Sequence, residues 1–448
     1  MLNDFDLLVE ANEENNPGLY WYISKQEWKA LVAEQRARIT DSMDLRGFFR
    51  IISHTIEGVH EDHMDASPPA ILDEEVGKAS LLPVKVRYVA GKWLVDTDRS
   101  QEQTLPRGSE IVFINGVPIE EIATQLGKWF SSDGEITRVK WSDLEGSGFL
   151  YYYYLEYGGQ ATYTIQLAGI DTPIVVKGAT GKEQRKYAKA TQTLEELPDY
   201  EYEVVNDTTA YLGLHTFALS NTVPLLGRKA RFKRFLRRSY KDMQRRGITT
   251  LIVDVSQNGG GNEGIENLSY SYLGDNYQKY TAVRSMSPVI DLDNGTDQIK
   301  NRIVPKSRMK HYELQPDGSY LRKPDASYGL MAFKKKPKYA FTGKTFVAIG
   351  PITYSGGSEF ATMMAEGTDA VLLGEETGGA YNGNTSGYMY PVKLPTTGIV
   401  VEIPILQFDM KIDPVYFGRG VMPDTKLTPT LDDAGRYRRV VTEWILGQ

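Results

Sequence analysis

Apolar positions near the start of the chain recur at helical spacing. Between Asp4 and about His63, Trp28, Leu31 and Val32 lie three and four apart, and Phe48, Phe49, Ile51 and Ile52 continue the pattern, which predicts a helical segment. Ser67-Pro68-Pro69 breaks it. Short β-like runs follow, such as LLPVKVRYVAGKWLVDT, in which Gly91 pivots between two alternating strands. Pro106–Ile122, PRGSEIVFINGVPIEEI, reads as a strand, an Asn115-Gly116 turn and a helix start, and the aromatic run Tyr151–Tyr154 reads as strand residues alternating between core and surface. From about Tyr187 strand and helix alternate: AYLGLHTF, a helix over about 226–246, TTLIVDV, KTFVAIG, SEFATMMAEG and AVLLGEE. Buried apolar strands that feed glycine turns are the order of an α/β sheet. The expected division is a helical segment over 1–75, a β-rich domain over 76–180 and an α/β core over 181–448. A polar stretch of weak periodicity, about 281–338, interrupts the core, either bordering the active-site cleft or as a surface excursion.

The helix over 228–246, RKARFKRFLRRSYKDMQRR, is dense in Lys and Arg, yet Phe232, Phe235, Leu236 and Met243 share one face. A solvated helix packed on the sheet explains this better than a patch for nucleic acid or membrane. At 448 residues, two or three domains are expected. A hydrophobic fraction of 41%, 24% charged residues and a net charge of −7 mark a globular chain with no general affinity for nucleic acid or anionic lipid. The absence of cysteine excludes thiol catalysis, cysteine–zinc sites and disulfides without identifying a compartment. No apolar run approaches the roughly eighteen residues a membrane helix needs. The acidic N-terminus MLNDFDLLVEANEENN has no apolar leader core, so either the protein is not exported or its signal lies outside this chain.

Two segments carry the candidate chemistry. TLIVDVSQNGGGN (Thr250–Asn262) ends a strand in a glycine run whose N–H groups are open to an oxyanion. No Lys-Ser/Thr follows as a phosphate loop requires, and no GxGxxG spacing occurs. VAIGPITYSGGSEFA (Val347–Ala361) places Ser355 between a strand and a helix start, where its hydroxyl serves either as a nucleophile or simply as an N-cap. In IEGVHEDHMDAS, His60 and His63 would share a helical face with Glu57 nearby, which leaves a metal cluster, a plain surface cluster and a general base open. His215 alternates in a strand and reads as a core or cleft residue.

The second half resembles the S41 peptidases, the group of carboxy-terminal processing proteases and the tricorn core. DVSQNGGG (Asp254–Gly261) looks like that family's strand and turn, TYSGGSEFA like its nucleophile turn, LLGEETGGA (Leu372–Ala380) like its G-E-x-T-G-G segment, and GRGVMPD (Gly418–Asp424) like its G-V-x-P-D close. The N-terminal stretch and the Asn115-Gly116 domain resemble the leading regions of bacterial members. The resemblance implies an α/β multidomain fold: the helical segment, a PDZ-like domain that binds peptide by strand addition, and a ClpP/crotonase-like core.

It further implies a serine peptidase of the carboxy-terminal processing type, with Ser355 as nucleophile and the Gly260 and Gly356 N–H groups as oxyanion hole. The position of the processing proteases' lysine base reads Ala380, so the tricorn-like Ser-His arrangement is expected instead. His60 is the expected base, with His63 and His54 as rivals. The third member is unassigned: the family position reads Phe417, and Asp413, Glu375 and Glu376 are the candidates. These departures leave a weak or inactive peptide-binding member, or a small-substrate esterase or amidase, as alternatives. The resemblance implies a protein or peptide substrate, no metal or organic cofactor, and the cell envelope as location.

Overall fold

The structure, a computed structural model, describes residues 1–188, 196–219, 227–286, 311–323, 336–412 and 417–447. Three helices open the chain: Leu2–Asn15, Lys25–Ala37 and Leu45–Glu57. The second starts at a capping box, in which Ser24 Oγ accepts from the Glu27 N–H and the Glu27 carboxylate accepts from the Ser24 N–H. The third buries Phe48, Phe49, Ile51, Ile52 and Ile56 against Phe5, Leu8 and Trp28. It stops at Gly58, and the chain turns through His60, at φ 57°, into the short strand Asp65–Ser67.

A hairpin, Val84–Val89 with Lys92–Asp98, and a four-stranded sheet follow. In that sheet Asn115 and Gly116, at φ 52° and 77°, join Ile111–Ile114 to Val117–Pro118. Two positive φ values in a two-residue turn match the twist of the flanking strands. Tyr151–Tyr154, expected as strand, lie in the helix Gly148–Tyr157. The correction has a packing cause: Phe149, Leu150, Tyr153 and Leu155 are the buried positions, and the three-and-four spacing of the first three overrides the β preference of tyrosine.

The core is a six-stranded sheet in the order Thr425–Lys426, Val371–Gly374, Lys344–Ile349, Thr250–Asp254, Thr209–Leu214, Tyr200–Val204, parallel throughout except for the last pair. Alternation along its central strands feeds two apolar layers. Leu251, Val253, Val347 and Ile349 point to one, with Phe360 and Leu236; Ile252, Phe346 and Ala348 point to the other, with Tyr437 and Val441. The basic helix, Arg228–Arg246, buries Phe232, Leu236, Tyr240 and Met243 in the first layer and ends at Gly247 in the left-handed conformation.

A second sheet is organised by one long strand, Val400–Met410. It pairs with Asp65–Ser67 at one end, with Tyr280–Ser285 at the other and with Gly383–Lys393 along its opposite edge. The N-terminal loop carrying His60 and His63 is thereby tied to the core. Part of the polar stretch 281–338 lies outside the described residues. Its described strands, Tyr312–Leu314 and Tyr320–Arg322, extend this second sheet rather than leaving it. Among the described residues no helix is long and apolar enough to cross a membrane.

Candidate active site

The strands Thr250–Asp254 and Lys344–Ile349 are parallel neighbours, so the glycine turn and Ser355 leave the same edge of the sheet. Their C-terminal ends are where α/β sheets place ligands. Asn258 joins the two turns: its carbonyl accepts from the Tyr354 N–H at 3.0 Å, its Nδ2 donates to the Leu214 carbonyl at 2.8 Å, and its Oδ1 accepts from the Gly260 N–H at 2.9 Å. That last bond corrects the expected oxyanion hole, because the Gly260 N–H already has an acceptor.

Two other donors flank the nucleophile. Gly356 opens the helix Gly356–Gly367, where the first N–H groups have no intrahelical partner. A Cβ built on Gly356 would stand 3.6 Å from the Gly261 nitrogen, so the two amides are neighbours. Gly260 keeps a different role. It sits at φ 91°, and a Cβ there would come within 2.7 Å of Ser355 Cβ and 2.8 Å of the Gly356 nitrogen. Glycine at this position keeps the space beside the hydroxyl open.

Ser355 stands at φ 51° and ψ −125°, a conformation that costs about 1–3 kcal/mol for a residue with a side chain. Its side chain makes no capping bond to the helix it precedes. Instead Ser355 Oγ lies 3.3 Å from His63 Nε2. This is at the long end of hydrogen-bond reach, as is common before substrate tightens a site.

The structure therefore brings His63, rather than the expected His60, to Ser355. The helical face that His60 and His63 were to share does not exist: the helix ends at Glu57, and both residues lie in the loop before Asp65–Ser67. His60 makes the turn, its carbonyl accepting from the Gly134 N–H at 2.9 Å. Three residues on, His63 lines the cleft. The rival His54 is buried against Trp129 at 5.7 Å between ring centroids, and burial pushes its pKa down to about 3. His215 is buried and its Nε2 meets Glu201 Oε1 at 3.1 Å.

Buried groups surround His63. Its Nδ1 is 2.8 Å from the Tyr354 hydroxyl, with the rings stacked at 4.8 Å, and its backbone N–H donates to Glu61 Oε1 at 2.8 Å. Glu61 Oε1 also lies 3.9 Å from Nδ1 and accepts from the Thr385 hydroxyl. Asp133 pins the loop, its carboxylate accepting from the Asp62 N–H at 3.1 Å and the Ala380 N–H at 3.2 Å. Burial lowers the His63 pKa to about 4 against the opposing charge of Glu359, so the imidazole is neutral at pH 7. Burial raises Glu61 to about 8, with Asp133 adding to it, and raises Asp133 to about 7.

The acids proposed from the sequence are held elsewhere or lie outside the described residues. Glu375 accepts from the Tyr437 hydroxyl at 2.5 Å, and Glu376 receives a two-pronged Arg419 guanidinium at 2.8 and 2.7 Å. Asp413 lies outside the described residues. Phe417 packs at the surface against Trp21 and Tyr22.

A cavity of about 510 Å³ opens on Ser355. Below it Lys279, fully buried, bridges Glu266 and Glu359 at 2.5 Å each. Glu359 also accepts from the Tyr280 hydroxyl and Asn384 Nδ2, both at 2.9 Å. Burial would raise Glu359, but Lys279 and these hydrogen bonds hold it below the usual carboxylate value. Sequence reasoning missed Tyr354, Glu61 and this ion network. A lysine and glutamates in apolar surroundings were its only trace.

Residues 208–427 match the sequence model of peptidase family S41. No curated protein sequence matches the chain. Among solved structures, mature CPAF aligns over 98% of this chain and 95% of its own, at 15% identity and a TM-score of 0.61. Mature CPAF complexed with lactacystin aligns over 99% and 96%, at 13% identity and a TM-score of 0.62. At such identities the likeness is one of fold.

Proposed function

Because residues 208–427 belong to peptidase family S41 and the chain is thereby a serine-type peptidase, we propose that Ser355 is its nucleophile and His63 its general base. The observation that carries this reading is the 3.3 Å approach of His63 Nε2 to the hydroxyl of a serine held at positive φ before a helix N-terminus. Ser355 Oγ attacks the peptide carbonyl carbon while its proton passes to His63 Nε2. The carbonyl π electrons move to oxygen, which the Gly356 and Gly261 N–H groups receive. Such a donor is worth about 3 kcal/mol in the transition state. Collapse breaks the C–N bond, the Nε2 proton leaves with the amine, and water repeats the sequence on the acyl-enzyme.

The carboxy-terminal processing type and the cell envelope as place of action are proposed on the sequence motifs alone. We also read residues 76–180 as a PDZ-like domain that holds the peptide, on the Asn115-Gly116 turn followed by the helix Ile119–Gly127. Fluorophosphonate labelling followed by intact mass tests the nucleophile. One adduct on the wild type that is absent from Ser355→Ala is the expected result. An adduct that survives in Ser355→Ala, or none on folded wild type, overturns the assignment.

A further inference from the structure

Proton transfer from Ser355 requires a lone pair on His63 Nε2, and therefore a proton on Nδ1 with an acceptor to hold it. In a serine triad that acceptor is a carboxylate. Here the group against Nδ1 is a phenol, the Tyr354 hydroxyl at 2.8 Å, while the carboxylate oxygen Glu61 Oε1 stands at 3.9 Å. A phenol accepts through oxygen and donates its own proton elsewhere, so either imidazole tautomer fits the 2.8 Å distance. The lone pair that Ser355 requires on Nε2 decides between them.

We propose that Tyr354 is the positioning residue for His63, accepting from Nδ1–H so that the Nε2 lone pair faces Ser355, and that Glu61 stabilises the positive charge formed on the ring. This rests on the Ser355–His63 reading above. Three observations support it. Tyr354 precedes the nucleophile directly, and its amide is fixed by the Asn258 carbonyl, so ring and hydroxyl move with Ser355. The Tyr354 and His63 rings stack at 4.8 Å with 24° between their planes, which keeps the hydroxyl against Nδ1. Burial, then the charges of Asp62, Asp133, Glu61 and Asp143, hold the phenol well above its ordinary pKa, so Tyr354 keeps its proton throughout.

Titratable groups from several packed elements make up this environment. Glu61 and Asp62 come from the His63 loop, Asp133 from the loop after Ile119–Gly127, and Lys140 and Asp143 from the helix Arg138–Leu144. Tyr22 comes from the N-terminal segment, and Glu359, paired with Lys279, from the nucleophile helix. In the acylation step the Ser355 proton moves to Nε2, Nδ1 and Tyr354 keep theirs, and the resulting imidazolium faces Glu61. The base is neutral down to low pH, so the acid limb of activity reports ionisation of the carboxylates rather than of the imidazole.

The test is the rate of fluorophosphonate labelling of Ser355 between pH 5 and 9 in the full chain, for wild type, Tyr354→Phe, Glu61→Gln and Asp413→Asn. Tyr354→Phe keeps the stacked ring and should label at least ~10-fold more slowly at every pH. Glu61→Gln should lose the rise across pH 7–8. Tyr354→Phe labelling at the wild-type rate, or loss of labelling in Asp413→Asn alone, overturns the proposal. Should Tyr354→Phe not fold, ¹⁵N NMR of the wild-type imidazoles, with His63 assigned by His63→Gln, decides it: a proton on Nδ1 supports the proposal and a proton on Nε2 overturns it. A wild type that is not labelled sinks the nucleophile assignment, and the tautomer measurement still judges Tyr354 separately.

Discussion

His63 Nε2 lies 3.3 Å from Ser355 Oγ although the two residues are 292 positions apart. The approach depends on the strand Asp65–Ser67, which follows His63 and pairs with Val400–Glu402 of the core. Replacing His63 with Ala should slow acylation by about 10²–10⁴-fold, the usual contribution of a positioned base. His60→Ala should leave it within about twofold, since His60 contributes a backbone turn. Phosphonate labelling of the two variants side by side measures this, and a larger effect at His60 would reverse the assignment.

Gly260→Ala should abolish labelling and lower stability together. The new methyl would stand 2.7 Å from Ser355 Cβ and 2.8 Å from the Gly356 nitrogen, in a backbone at φ 91°. Strain of this kind costs about 1–3 kcal/mol. Urea denaturation and labelling should both register the change; an unchanged midpoint would show that the turn relaxes.

Lys279→Met removes the cation between Glu266 and Glu359. Two buried carboxylates then face each other without compensation, and a loss of about 3–5 kcal/mol is expected from urea unfolding. Adding Glu266→Gln should recover part of it, because one charge is removed while Tyr280 and Asn384 still donate to Glu359. A double variant no more stable than the single one would mean that the network acts by packing alone.

The buried carboxyls make stability fall at alkaline pH. Glu61 rises from 4.5 to about 8 and Asp133 from 3.8 to about 7 on folding. Each binds its proton more tightly in the folded state, so its contribution is full below the unfolded value and is lost as pH rises through the folded one. His63 acts on the acid side: its folded pKa of about 4 lies below 6.5, so stability drops as pH falls through that window. Denaturation midpoints at pH 5, 7 and 9 should decline from 7 to 9 in wild type and be flatter in Glu61→Gln with Asp133→Asn. Equal declines in both proteins would refute the assignment.

Local pattern determined a good deal by itself. The continuous apolar runs of TLIVDV and KTFVAIG mark strands buried on both faces, and the glycine run and Ser355 follow them at the edge where such sheets place ligands. The Asn115-Gly116 turn was equally legible, since positive φ at two successive residues is a local requirement. Tyr151–Tyr154 misled because tyrosine suits both a strand and a buried helix, and only the neighbours that cover Phe149 and Tyr153 decide between them.

The site's partners belong to tertiary structure. His60 and His63 are chemically equivalent in sequence, and a single turn at positive φ after the helix decides which one faces the cleft. Gly260, Gly261 and Gly356 all offer an amide, but the Asn258 side chain occupies one of them. Tyr354 meets His63 across 291 positions, and Lys279 meets Glu266 and Glu359 in a space no linear pattern describes. Periodicity reports which face of an element is buried; which groups meet there depends on how separate elements pack, and burial then sets their charge.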